Sequence, residues 1–130
     1  MNSNKSFSTE TSERYALALF ELANENSELE KVENNIKELL RIYEINEELE
    51  NFIKNPTHPI VSQLQVIQKI SKTMNFPKTL NNFLSILVTK RRIFFLKKII
   101  KSFLKLSSQK KGELTASLIS SKDLSEDEIK

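Results

Sequence analysis

Apolar residues along this chain recur every three or four positions, the spacing of one face of an α-helix. The first such segment predicts a helix from a cap at Ser8 or Thr11 to about Asn24. It carries two apolar stripes: Ala16, Phe20 and Ala23 on one side, and Tyr15, Ala18, Leu19 and Leu22 on the other. A surface helix buries a single stripe. This one is therefore either central in a bundle or shared with a partner. Ser27 with Glu30 three residues on has capping-box spacing, and Val32, Ile36, Leu39, Leu40 and Tyr43 carry a second helix onward. Asn46 caps a short third helix with Leu49, Phe52 and Ile53 inward. The turn Asn55-Pro56-Thr57-His58-Pro59 ends it, because each proline bars the preceding residue from helical geometry. Pro59 suits the first turn of a fourth helix, which carries Ile60, Leu64, Ile67 and Ile70 and stops near Met74. Pro77 opens a fifth, with Leu80, Phe83, Leu84, Leu87 and Val88 on one side and Ile86 off that side. Lys90-Arg91-Arg92 connects it to a sixth, which holds Phe94, Phe95, Leu96, Ile99, Ile100, Phe103, Leu104 and Leu106 and ends near Ser107.

Beyond Gly112 the period changes from 3.6 to 2. Leu114, Ala116 and Leu118 alternate with Thr115 and Ser117, which is a strand signal. Ser125 followed by Glu126, Asp127 and Glu128 has the pattern of a capped helix start. A lone strand needs a neighbour for its backbone groups. Residues 111–130 are therefore expected to begin an incomplete second, α/β domain. The division that follows is a flexible N-terminus at 1–10, a six-helix bundle at 11–110, and the opening of a truncated C-terminal domain at 111–130.

Composition supports an all-α reading, since 130 residues contain one Gly and three Pro. Sheet turns need glycine, whereas helices exclude both residues. The absence of Cys rules out disulfides and thiolate metal sites, and one His rules out a paired-His cage. No apolar run approaches the ~20 residues that span a bilayer. The start, MNSNKSFSTE, has neither the apolar core of a secretory signal nor the cations of a mitochondrial targeting helix. Charge is unevenly spread: ten Glu lie between Glu21 and Glu50, and nine Lys or Arg with no acid lie between Lys90 and Lys111. These are either solvated faces or a surface that orients the domain on a partner.

No catalytic constellation emerges. A phosphate-cradling loop needs more than one Gly, and His58 sits between two prolines in a turn. Glu47, Glu48 and Glu50 do not converge on one helix face as a carboxylate pair would. The basic stretch from Lys90 to Lys111 raises nucleic-acid binding or a regulatory module as an alternative, but Phe94, Phe95 and Phe103 recur at helical spacing, which assigns them to the core.

The segment Ser12-Glu13-Arg14-Tyr15-Ala16-Leu17-Ala18-Leu19-Phe20-Glu21-Leu22-Ala23 resembles the opening of the ATP synthase delta-subunit family. The mitochondrial counterpart in that family is the oligomycin-sensitivity-conferring protein. The Asn55-Pro56 turn is similar to the family's, as are Asn82-Phe83-Leu84-Ser85-Ile86-Leu87 and the run Leu114 to Ser125. The resemblance covers roughly residues 10–130. It departs at Lys90-Arg91-Arg92, where the family often has Asn-Gly-Arg, and at Val32, where some members carry an aromatic.

The resemblance implies a non-catalytic stator subunit with no cofactor and no metal. It implies an N-terminal bundle that binds the N-terminal helices of alpha subunits on the catalytic head. It implies that the family's C-terminal domain, largely missing here, binds the b subunits. Without a transit peptide, the expected place is the cytoplasmic face of a bacterial inner membrane, held there through the complex. The spare stripe on the first helix and Ile86 on the fifth would form a groove for an amphipathic helix. The expected contacts are Tyr15, Ala18, Leu22, Asn82 and Ile86.

Overall fold

The computed structural model describes residues 7–129. Six α-helices follow one another: α1 Phe7–Glu25, α2 Leu29–Ile45, α3 Glu47–Lys54, α4 Ile60–Thr73, α5 Lys78–Thr89 and α6 Leu96–Ile129. A 3-10 turn, Ile93–Phe95, leads into α6. α1 lies at the centre, packed along α6 and also touching α5 and α2. Leu19, Phe20 and Ala23 of α1 join Ile36, Leu39 and Tyr43 of α2, Leu84 and Leu87 of α5, and Ile99, Ile100 and Phe103 of α6 in one buried cluster. The rings of Phe20 and Phe103 stand 6.4 Å apart. Leu19, placed by its spacing on the spare stripe, is fully buried. Of the spare stripe, Ala18 and Leu22 remain exposed and Tyr15 is half-buried.

The helix ends follow local chemistry. Asn46 caps α3 as expected, its Oδ1 accepting from Leu49 N at 3.1 Å. Pro59 and Pro77 sit one residue before α4 and α5, and their carbonyls start the ladders by accepting from Gln63 N and Asn81 N. Ser27 does not open a capping box. It takes a left-handed φ of 56°, and Glu28 precedes α2 with no side-chain cap. Ser27 N donates to Asn24 O and Glu28 N to Ala23 O, the paired bonds of a Schellman ending. Asn75 (φ 56°) and Arg91 (φ 59°) end α4 and α5 in the same way. Arg91 therefore takes the left-handed position that glycine most often fills at a helix end. Its Nη1 donates to His58 O at 2.7 Å.

Two expectations for the C-terminal third are corrected. The sixth helix does not end near Ser107, and no strand forms at 114–118: α6 runs unbroken through Gly112 to Ile129, and the described residues contain no strand. The physical reason is that a helix satisfies its backbone groups within itself, whereas a strand needs a neighbour that these residues do not have. Leu114 and Leu118 are also four apart, so the same residues fit a helix. Phe94 is the second departure, being 40% exposed rather than core. The 3-10 turn brings Ile93 and Leu96, three apart, onto the buried side and swings Phe94 outward.

Part of the uneven charge is paired inside the molecule, at Lys111–Glu33 and Lys97–Glu44. α2 packs on α6, and Glu33 is buried between them. Its carboxylate accepts from the buried Ser107 hydroxyl and from Lys111. Burial pushes the Glu33 pKa up, but the hydrogen bonds from Lys111 and Ser107 outweigh that and hold it below the usual carboxylate value. Lys97 reaches Glu44 at 3.7 Å, and Lys98 donates to Ser8 at 2.6 Å.

Candidate functional site

α1 and α5 lie side by side and antiparallel, tied at three levels. At one end Asn26 Nδ2 donates to Thr79 Oγ1 at 3.1 Å, and Thr79 Oγ1 donates to Glu28 at 2.8 Å. In the middle the Tyr15 and Phe83 rings meet edge to face, with centroids 6.3 Å apart and planes at 71°. At the other end the Arg92 guanidinium lies 5.8 Å from the centre of the Phe7 ring. The ties leave neighbouring residues of both helices uncovered or only partly covered.

Those neighbours include the five residues expected from the sequence. Leu22 is 43% and Ile86 47% exposed, comparable with Leu17, Ile45 and Val61 elsewhere on the surface, and these two stand on adjacent helices. Ala18 and Asn82 are exposed, and Tyr15 is half-buried against the core. The structure therefore brings the α1 strip Tyr15–Ala18–Leu22 beside the α5 pair Asn82 and Ile86, which lie one turn apart. Apolar anchors one turn apart on two adjacent helices are what an amphipathic helix seats against.

Four further residues belong to this face and were missed by spacing rules built on apolar residues. Phe7, Thr11, Arg14 and Arg92 join Tyr15 and Ala18 around a cavity of about 380 Å³. Thr11, Arg14, Tyr15 and Ala18 stand at i, i+3, i+4 and i+7, which is one helix face. The signal was present, but two of the four are polar.

Nothing in the groove pairs a nucleophile with a base. Among the described residues no group of three His, Cys, Asp or Glu could hold a metal, and no helix is long and apolar enough to cross a membrane. His58 stacks on Phe52 at 4.3 Å in the turn before α4, away from the groove.

The fold is thus an all-helical bundle with exposed apolar side chains on two adjacent antiparallel helices. The chain belongs to the ATP synthase delta (OSCP) subunit family, whose description matches residues 11–130. That family comprises non-catalytic, peripheral-stalk components of the enzyme. The chain is 42% identical over 129 residues to ATP synthase subunit delta of Pelagibacter ubique (strain HTCC1062), covering 99% of this chain and 70% of the relative. Against the Mycoplasma mobile subunit delta it is 35% identical over 112 residues, covering 86% and 62%. Against that of Dinoroseobacter shibae it is 32% identical over 125 residues, covering 96% and 67%. The chain thus spans between 62% and 70% of the length of these relatives.

Proposed function

We propose that this chain works as a stator adaptor, seating an alpha-subunit N-terminal helix in the α1/α5 groove and so holding the catalytic head against rotor torque. The observation that supports it is that Leu22 and Ile86 are both half-exposed on two helices that pack against each other. Burying both would remove apolar area from water at about 25 cal/mol per Å², and exposed Ala18 lets the partner backbone come close. Asn82 is placed to hydrogen-bond at the rim. On this reading the b-subunit contact belongs to the family's C-terminal domain, toward which residues 111–130 lead. The complex would hold the chain at the cytoplasmic face of a bacterial inner membrane.

The basic stretch of α6 supports a nucleic-acid role poorly, since Lys97, Lys98 and Lys111 are already engaged by Glu44, Ser8 and Glu33.

The test is calorimetric titration of the chain with a synthetic alpha-subunit N-terminal peptide at low and high salt. Binding should weaken only a few-fold with salt, against the ~10³–10⁵ expected for six to ten phosphate contacts. Ala18→Arg should abolish binding with helix content unchanged. Unaltered affinity in that variant would sink the groove.

A further inference from the structure

Near the start of α1 the groove deepens into the cavity lined by Phe7, Thr11, Arg14, Tyr15, Ala18 and Arg92. Its walls are apolar where Phe7, Tyr15 and Ala18 stand, and cationic where the two arginines stand. No acid lines it. Arg14 makes no ion pair or hydrogen bond among the described residues, and Arg92 touches the Phe7 ring. Thr11 is only 4% exposed, yet its hydroxyl has no hydrogen-bond partner. A buried hydroxyl left unpaired is costly, and an acceptor entering the cavity would relieve it. Two guanidiniums and one free hydroxyl around an apolar pocket match the chemistry of a carboxylate, which accepts from all three and pairs with arginine in a planar fork.

We infer that this cavity is a carboxylate subsite, which takes an acidic side chain of the helix docked in the groove. The inference rests on the groove reading. Thr11 and Arg14 lie on the same face of α1 as Tyr15 and Ala18, so a helix following the apolar strip passes directly over the cavity. The opposite end of the groove offers no equivalent, because there the Glu28 carboxylate already accepts from Thr79. An acidic residue on the partner is therefore welcome at one end and repelled at the other. The subsite fixes the direction in which the partner helix lies, a discrimination by charge placement.

The test is a double-mutant cycle by calorimetry on the full chain. One axis compares wild type with the Arg14→Gln/Arg92→Gln variant. The other compares the alpha-subunit N-terminal peptide with a version in which its Glu and Asp are replaced by Gln and Asn. Circular dichroism establishes that the variant is folded, and Arg14→Gln alone serves if the double variant is not. The expected result is about a tenfold weaker affinity of the amide peptide for wild type, with no difference between the peptides on the variant. An equal loss on both proteins, or no loss on either, overturns the subsite. If Ala18→Arg abolishes binding while the arginine variant behaves as wild type, the subsite falls and the groove stands. If wild type does not bind the peptide at all, both fall. Millimolar competition by inorganic phosphate that disappears in the variant would assign the cavity to phosphate and overturn the carboxylate.

Discussion

Among the described residues, three carry a left-handed backbone without being glycine: Ser27, Asn75 and Arg91. For an ordinary L-residue that conformation costs roughly 1–2 kcal/mol. Exposed Ser27 uses its side chain for no hydrogen bond among the described residues. Ser27→Gly should therefore stabilise the fold by about 1 kcal/mol, seen as a rise of a few degrees in thermal midpoint. Arg91→Gly should gain less, because it gives up the bond to His58 O that ties two turns together. A larger gain at Arg91 than at Ser27 would refute this ordering. Tyr43 has the opposite defect: it is fully buried and its hydroxyl has no partner. Burial, helped by the Glu50 charge, pushes its pKa up to about 12. The folded state then holds the proton that the unfolded chain loses above its ordinary value of 10.0, so stability falls as pH rises from about 10 toward 12. Tyr43→Phe should remove that alkaline loss and leave neutral stability unchanged or higher, as checked by urea titration at pH 7 and pH 11. Sequence could not show these features. A left-handed cap without glycine has no composition signal, and the spacing that marks Tyr43 as core says nothing of its hydroxyl.

At the level of elements, the clasp between α2 and α6 governs acid behaviour. The Glu33 pKa is lowered in the folded state, so its stabilisation is present above the ordinary carboxylate value of 4.5 and is lost as pH falls below it. Glu33→Gln should weaken the fold at pH 7 and flatten the stability curve below pH 4.5, measured by urea midpoints across that range. If wild type and variant lose stability in parallel on acidification, Glu33 is not the responsible group. Lys111 immediately precedes Gly112, so the clasp holds α6 in register at its weakest residue. A Cβ built on Gly112 meets nothing within 4 Å. Gly112→Ala should strengthen the continuous helix by up to about 1 kcal/mol and slow amide exchange at 113–118. Unchanged or faster exchange there would argue for the strand instead. The six helices and most of their inward residues were legible, Leu19 and Phe94 excepted, because apolar spacing survives tertiary packing. The C-terminal stretch was misread because alternation over five residues also contains an i, i+4 pair. The groove was half legible: the spare stripe of α1 and Ile86 stood out as excess apolar surface, whereas Thr11, Arg14 and Arg92 join it only once Arg92 is carried back over Phe7.

Considered as a whole molecule, the chain closes on itself, with its first helix laid along its last. Phe20 and Phe103 meet across 83 positions of sequence, so the central packing of the bundle is made between segments born far apart in time. At the ordinary pace of translation, about 5–20 residues per second, α1 leaves the ribosome roughly 4–17 s before its partner exists. Throughout that interval Ala16, Leu19, Phe20 and Ala23 have no α6 to cover them, while Tyr15, Ala18 and Leu22 line the other side of the helix. The nascent chain is thus sticky on both sides of one helix, and α6 masks only one of them. Co-translational chaperones should engage this protein early through α1, and release from them should coincide with the emergence of residues 96–107.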